Sequence, residues 1–195
     1  MSDFWFMVKQ GLTHVLNIKG YDHVLFIILL AIPYMFKDYK RVILLVSFFT
    51  LGHTISLILA FYGYITPNVA WVEFLIIVTI FLSGIYNIYK VQKESDKAKF
   101  SWLIIAALLF GLIHGCGFGR EYKMISSIVE NKFLGLIEFA LGIELAQLIV
   151  VSAVLVLSYL FRNLLKIQKK YWVSIVSGII IILTIPELYN RWPFQ

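Results

Sequence analysis

Long apolar runs separated by short polar segments make up most of the chain. Residues 42–63 contain 22 consecutive positions without Asp, Glu, Lys or Arg, and residues 100–119 contain 20. About 20 helical residues cross the roughly 30 Å hydrocarbon core of a bilayer. The pattern therefore predicts an all-α fold, a polytopic membrane helical bundle forming one domain over residues 1–195. Its six transmembrane helices are predicted near residues 21–36, 41–63, 71–90, 100–118, 136–162 and 171–190.

The first 17 residues have a different pattern, with polar and apolar positions on opposite sides of a helix. At 100° per residue, Lys9, Thr13 and His14 fall in one arc, whereas Phe4 and Leu12 fall in the other. This pattern predicts an amphipathic helix over residues 1–17 that lies in the membrane interface. No internal repeat is evident in the chain, so the inverted-repeat design of many transporters is not indicated.

Composition supports a membrane protein and gives the net charge a specific meaning. Hydrophobic residues make up 61% of the chain, the mean hydropathy is +0.86, and the formal net charge is +6. The basic residues lie in short segments between apolar runs, so they act as topology signals rather than as a surface for nucleic acid. Eleven of them follow the first, third and fifth predicted spans, which predicts that both termini lie outside the cytoplasm.

Ionisable residues inside the predicted spans are the main candidates for function. A charged group at the bilayer centre costs about 2.5–3.5 kcal/mol on insertion scales, so it persists where it faces the bundle interior and has a partner. Imidazole and carboxylate groups together bind Ni, Zn, Co or Cu. The sequence therefore predicts a metal site in the outer half of the bundle. Its predicted ligands are His14, Asp22, His23, His53, His114 and Glu144, with Glu73, Glu138 and Gln147 in support.

Local spacing groups some of these residues. Glu144 and Gln147 share one helix face, whereas Glu138 lies about 120° away from Glu144, and Thr50 lies one turn before His53. Each residue also has a structural interpretation when it is taken alone. These interpretations are a helix N-cap for Asp22, exposure on a surface helix for His14, interhelical hydrogen bonds for His53 and His114, and interfacial carboxylates for Glu73, Glu138 and the deeper Glu144.

Several segments resemble the successive signatures of the HupE/UreJ family of bacterial membrane proteins. They are HVLNIKGYDHVLF, FTLGHTISLILA, VEF, FGLIHGCGFG and EFALGIELAQLIVV, in the family's order over residues 11–190. The resemblance implies a nickel permease of bacterial membranes, with cobalt as an alternative cargo. Together with the charge pattern, it predicts an inner-membrane protein with both termini on the periplasmic side. It matches a His-Asp-His motif to His14, Asp22 and His23, and a second motif to His114 and Gly115. Gly119 stands where that second motif has a glutamate.

Two functional hypotheses follow, and the sequence favours a transporter over an enzyme. In the first, a divalent metal ion is captured near His14, Asp22 and His23 and passes to His53, His114 and Glu144. In the second, three histidines hold zinc for an intramembrane hydrolase with an outer-leaflet active site, and Asp22 or a glutamate is the general base. A metal-dependent sensor is a third, less specific interpretation. The expected partners are the metal ion and the lipid bilayer, and a homo-oligomer is compatible with the sequence.

Overall fold

The computed structural model describes residues 3–17, 20–93 and 100–194, and helices dominate all three segments. Short 3-10 turns at Phe36–Asp38 and Ser126–Ile128 precede the helices that begin at Tyr39 and Lys132, and a π-helical turn at Leu160–Leu164 extends the second of these. The helices are α1 (Asp3–Leu16), α2 (Asp22–Ala31), α3 (Tyr39–Phe61), α4 (Val69–Gln92), α5 (Phe100–Gly117), α6 (Gly119–Ile125), α7 (Lys132–Tyr159) and α8 (Lys169–Asn190).

Five helices in the described part of the chain are long and apolar enough to cross a membrane: α3, α4, α5, α7 and α8. The prediction of six full-length spans is not confirmed, because the segment predicted as the first span contains only α2. Ten helical residues rise about 15 Å, which is half of a hydrocarbon core. Helix α2 ends at Ala31, two residues before Pro33, which has no backbone N–H to continue the helical hydrogen bonds.

Helix α1 packs against α7 so closely that the two backbones are in contact. A Cβ atom added to Gly11 would lie 2.0 Å from the carbonyl oxygen of Phe139, and one added to Gly142 would meet a carbonyl of α1 at 2.1 Å. Met7 reaches Gly135, four residues before Phe139, so the two helices run in the same direction. Only glycine allows so close an approach. The described part of α1 is therefore part of the bundle, and its predicted place in the membrane interface is not confirmed.

Helices α3 and α5 make the same contact. A Cβ added to Gly111 would lie 2.1 Å from the carbonyl oxygen of Phe49, and one added to Gly52 would meet a carbonyl of α5 at 2.2 Å. Farther along both helices, Gly115 lies against the carbonyl oxygen of His53, so α3 and α5 also run in the same direction. The short segment between α3 and α4 reverses the chain, and α6 with its following turn leads back into α7.

The two helix pairs share sequence as well as geometry. Residues 11–14 of α1 read GLTH and residues 111–114 of α5 read GLIH. Residues 139–142 of α7 read FALG and residues 49–52 of α3 read FTLG. In each pair, the glycine of one motif lies against the carbonyl of the phenylalanine in the other. Helices α1–α4 and α5–α8 are thus related, although the sequence alone shows no evident repeat.

The related halves have opposite orientations in the bundle. Helix α7 begins at the end of the bundle where α3 and α5 finish, and α1 runs alongside α7. Helices α4 and α8 form a third pair, in which Gly84 lies against the Ile181 side chain. Both helices carry a Ser-Gly-Ile sequence, at residues 83–85 and 177–179. Two halves of opposite orientation that contribute partners to each other are the arrangement found in many secondary transporters.

Candidate metal centre

Four histidines from four helices meet in the bundle interior. The rings of His14 and His23 have centroids 4.7 Å apart, and each lies 5.7 Å from the ring of His53. The ring of His114 lies 5.2 Å from that of His23. His23, His53 and His114 are almost fully buried, and His14 is half-buried at the end of α1. The tertiary structure therefore brings together all four imidazoles of the chain.

Three of the histidines form a group with metal-ligand spacing. One ring nitrogen from each of His14, His23 and His53 lies within 4.8 Å of the other two. Nitrogens bound at about 2.1 Å to one ion are at most roughly 4.2 Å apart, so a small ring rotation brings the group to ligand distance. His114 lies outside this group but its ring contacts that of His23. The arrangement is therefore a three-imidazole centre with a fourth imidazole beside it.

The ring nitrogens in this cluster lack protein partners. Nε2 of His14, His23 and His114 and both ring nitrogens of His53 are buried and have no hydrogen-bond partner among the residues that the structure describes. A buried polar atom without a partner costs about 1–3 kcal/mol. Five such atoms in one place indicate a missing ligand, because a metal ion would satisfy several of them at once.

Hydrogen bonds at the other ring nitrogen orient two of the imidazoles. Nδ1 of His23 lies 2.9 Å from Oδ1 of Asp22, and Nδ1 of His114 lies 2.7 Å from the backbone carbonyl oxygen of Phe110. Because a carboxylate and a carbonyl oxygen accept hydrogen bonds, the Nδ1–H of each ring donates and the Nε2 lone pair is left free. This is the arrangement by which proteins hold and orient metal-binding histidines.

Aromatic side chains pack around the cluster. The ring of Phe118 lies 3.9 Å from that of His14, and the ring of Phe49 lies 5.1 Å from that of His114. Phe26 and Phe139 also contact the histidines. An apolar shell lowers the local dielectric and strengthens the interaction between an ion and its ligands.

Asp22 connects the cluster to the end of α8. Its second carboxylate oxygen, Oδ2, lies 3.8 Å from Arg191, whose Nε donates to Glu187 at 3.0 Å. Asp22 thus contacts His23 through one oxygen and faces Arg191 with the other. In this structure it contacts the His23 ring, and its predicted role as a metal ligand stays a prediction.

Glu144 and Gln147 lie in a separate cluster with side chains of α3. The hydroxyls of Ser47 and Thr50 each lie 2.5 Å from one carboxylate oxygen of Glu144, and Thr50 also lies 2.9 Å from Oε1 of Gln147. Glu144 is absent from the group of ligand atoms around the histidines. The two clusters are neighbours on α3, since Thr50 lies one turn from His53.

The remaining predicted residues lie near other groups. Burial raises the pKa of Glu121 in α6, and the nearby Glu73 carboxylate raises it further, so Glu73 lies near α6. Burial and then the Glu138 carboxylate raise the pKa of Tyr122 in the same way. Neither Glu73 nor Glu138 belongs to the three-histidine group. Among the described residues, no contact joins either glutamate to the histidine cluster, so their predicted supporting roles stay predictions.

The sequence analysis missed the contact of the Ser47 hydroxyl with Glu144 and that of the Phe118 ring with His14. A signal for Ser47 was present, because Ser47, Thr50 and His53 recur every three residues along one side of α3. A signal for the packing of α1 was present too, in the GLTH and GLIH sequences. No comparable signal indicated Phe118, whose contact with His14 depends on how α1 and α6 meet.

Comparison with known proteins identifies the family of the chain. The family model described as HupE / UreJ protein matches residues 1–190, which is nearly the whole chain. A search of curated proteins finds no match, and a search of solved structures finds none either. The matched region contains all four histidines, the glycine contacts and the Glu144 cluster. The chain therefore belongs to the HupE/UreJ family of membrane proteins.

Proposed function

We propose that this protein is a permease for a divalent transition-metal ion, with nickel or cobalt as the expected cargo and zinc or copper as alternatives. The observation that carries the proposal is the set of five buried, unpartnered nitrogens on four histidines from four helices. His14, His23 and His53 are the proposed ligands, and His114 is an adjacent one. Asp22 orients His23 and adds negative charge close to the ion.

Polar groups continue from the histidine cluster toward the opposite end of the bundle. Thr50 and then Ser47 follow His53 on α3, at successive turns toward the start of that helix, and Glu144 contacts both. An ion leaving His53 would therefore meet oxygen ligands before it reaches the end of the bundle. This continuity supports transport, because a site of imidazoles alone would hold the ion without an exit.

A broken helix at the site also supports transport. Helix α1 runs alongside α7 and ends near His14, and α2 begins at Asp22, beside the same cluster. The carbonyl oxygen of Leu29 near the end of α2 accepts from Asn87, near the end of α4. We infer that α1 and α2 together form one crossing, interrupted at the metal centre. Discontinuous helices at the substrate site are common in secondary transporters.

The positions of the basic residues indicate how the protein is oriented in the membrane. Lys37, Arg41 and Arg162 lie at the end of the bundle where α3 begins and α7 finishes, together with further basic residues. Positively charged segments favour the cytoplasm. The proposed arrangement is a bacterial inner-membrane protein whose termini face the periplasm and whose histidine cluster is loaded from that side.

Uptake by purified protein in liposomes tests the proposal. Proteoliposomes should accumulate at least one of Ni²⁺, Co²⁺, Zn²⁺ and Cu²⁺, and His53→Ala should abolish that uptake because it removes the most buried imidazole. Glu73→Gln is the matched control, because it changes an exposed carboxylate outside the cluster. Absence of uptake for all four ions with folded wild-type protein would end the proposal.

The alternative of a zinc hydrolase has less support from the contacts. It requires a carboxylate that is free to act as a general base beside the ion. In the described structure, Asp22 is engaged by His23 and Arg191, and Glu144 by Ser47 and Thr50. A stoichiometric zinc ion that survives mild chelation, with no uptake of any metal, would favour the enzyme.

A further inference from the structure

A groove opens on the surface of the bundle between α3 and α7, near the end where α3 begins. It has a volume of about 270 Å³. Phe36, Tyr39 and Ile43 form one exposed wall, whereas Val151 and Leu155 of α7 lie deeper, with 3% and 4% of their surfaces exposed. All five belong to segments that are long and apolar enough to span a membrane. The groove therefore faces the lipid and has the shape and surface for a long apolar molecule.

The body of the groove offers apolar contacts almost alone. Ser152, which also lines it, donates its hydroxyl hydrogen to the carbonyl oxygen of Leu148 in its own helix at 2.7 Å. The other polar lining residue is Tyr39, the first residue of α3, at the end of the groove. A polar ligand lying along the groove would lose its hydrogen bonds to water without replacement, which is costly. An acyl chain has no such bonds to lose.

Basic side chains from both helices lie at this end of the groove. The ammonium nitrogen of Lys40 lies 5.9 Å from the centroid of the Tyr39 ring. Arg162 of α7 interacts electrostatically with Asp38, which ends the short turn that begins at Phe36. Because Tyr39 and Phe36 line the groove, the ammonium and the guanidinium lie close to the same mouth.

The Arg162 guanidinium lacks a partner for part of its donor set. Its nitrogen Nη1 is buried and has no hydrogen-bond partner among the residues that the structure describes. In the same part of the chain, no carboxylate forms an ion pair with it, and Oδ2 of the nearby Asp38 accepts from the backbone N–H of Met35 at 3.3 Å. A guanidinium presents a planar fork of donors that matches a phosphate group. The missing partner is therefore an anion at the mouth of an apolar groove.

We propose that the groove between α3 and α7 binds an acidic phospholipid. One acyl chain packs against Val151 and Leu155, and the phosphate group lies between Arg162 and Lys40. One molecule has to supply both the apolar chain and the anion, which a phospholipid does and a free phosphate ion does not. Basic pockets between transmembrane helices are a known way of recognising acidic head groups. A zwitterionic head group fits less well, because its own cation competes for the phosphate.

The groove lies directly beside the contacts of Glu144. On α3, Ile43 precedes Ser47 by one turn, and on α7, Leu148 follows Glu144 by one turn. A bound lipid would thus hold α3 and α7 at a fixed spacing next to the Ser47–Glu144 contact. The lipid site does not depend on the proposed permease function. Lipid binding and metal uptake are measured separately, so either proposal fails without the other.

Native mass spectrometry of the whole protein in detergent tests the site. Wild type should bind phosphatidylglycerol about 10-fold more tightly than phosphatidylcholine with the same acyl chains, because only the first lacks a head-group cation. Arg162→Gln should weaken phosphatidylglycerol binding by about 10-fold, and Arg162→Lys should weaken it less, because it keeps the charge. Arg120→Gln is the matched control, since Arg120 is an exposed arginine of α6 at the other end of the bundle.

Two results of this experiment would overturn the proposal. One is equal affinity of wild type for the two lipids. The other is an equal loss of phosphatidylglycerol binding in Arg162→Gln and Arg120→Gln.

Filling the groove gives a second test that leaves the basic residues intact. Ser152→Trp should weaken phosphatidylglycerol binding by about 10-fold, because the indole occupies the volume of the acyl chain. Ile149→Trp is its control, because Ile149 is exposed on the same helix and does not line the groove. Equal binding by Ser152→Trp and Ile149→Trp would contradict the proposal. A wild-type dimer that Ser152→Trp dissociates would assign the groove to a second copy of the chain and also overturn it.

Thermal unfolding distinguishes a lipid from a free anion and checks the fold of each variant. Phosphatidylglycerol should raise the unfolding temperature of wild type more than phosphatidylcholine does, because a ligand stabilises the state that binds it. Inorganic phosphate alone should leave the unfolding temperature unchanged. Stabilisation by inorganic phosphate equal to that by phosphatidylglycerol would show an anion site without a lipid chain and refute the assignment.

Discussion

The helix pairs α1·α7 and α3·α5 make the same contact between a glycine and a backbone carbonyl, but the residues that flank the shared motifs differ strongly in hydropathy. Helix α5 is an apolar span of 18 residues, whereas α1 has 14 residues with Lys9 and Gln10 on one side. In both, a glycine lies against a phenylalanine carbonyl and a histidine follows three residues later. Hydropathy therefore indicates which environment a helix tolerates, whereas glycine contacts determine which helix it packs against.

The pairs differ in the side chains they bring to the interior. The α3·α5 pair contributes His53, His114 and the hydroxyls of α3, whereas the α1·α7 pair contributes His14, Glu144 and Gln147. His14 and His114 occupy matching positions in the two GLxH sequences. The interior between the related halves is thus lined by unlike residues, with imidazoles in one cluster and oxygen groups in the other.

The largest expected effect is loss of the bundle when either contact is opened. Gly11→Leu and Gly111→Leu should both destabilise the protein by more than the ~1–3 kcal/mol typical of an overpacked core, because the new side chain meets backbone. Thermal unfolding in detergent measures this. Gly178→Leu is the control, since nothing lies within 4 Å of a Cβ there. If the Gly11→Leu protein is as stable as wild type, α1 does not pack against α7 in this way, and its predicted place at the membrane surface is favoured instead.

Removing the two matching histidines should give unequal losses of metal binding. His14→Ala removes one of the three grouped ligands and should weaken affinity by more than about 100-fold, the upper range for loss of a partner that only orients a ligand. His114→Ala should cost less, because His114 lies outside the group. Calorimetric titration with Ni²⁺ compares them. Equal losses would show a four-histidine site.

Asp22→Asn should have an intermediate effect. An amide that presents its oxygen still accepts from His23 but lacks the negative charge, so metal affinity should fall by roughly 10–100-fold. Thermal stability should change little, and unfolding measured beside the metal titration checks this. A large loss of thermal stability with unchanged metal affinity would show that Asp22 acts through its contact with Arg191 instead.

The smallest effect is expected at Glu138. Glu138→Gln keeps the size of a buried side chain that contacts neither cluster, so metal affinity should remain within about 2-fold of wild type. The same titration measures it. A large loss would place the carboxylate on the route of the ion and extend the site along α7.

Much of the site was predictable because lipid penalises ionisable groups. His23, His53 and His114 lie on apolar segments, so a shared interior site follows from their cost in lipid. The partners of Glu144 were less predictable, because the side chain that faces it comes from a helix 94 to 97 residues away along the chain. Sequence reasoning therefore grouped Glu144 with the histidines, although the contacts separate them.

The sequence by itself determined that the chain is an α-helical membrane protein of the HupE/UreJ family, because apolar length and motif order are properties of the chain. Only the tertiary structure decided that α1 packs inside the bundle, that the first predicted span is a short helix, and that the four histidines and Glu144 lie in two neighbouring clusters. The physical reason is that helix pairing depends on glycine contacts between residues more than 50 positions apart. Hydropathy is local and cannot report contacts of that range.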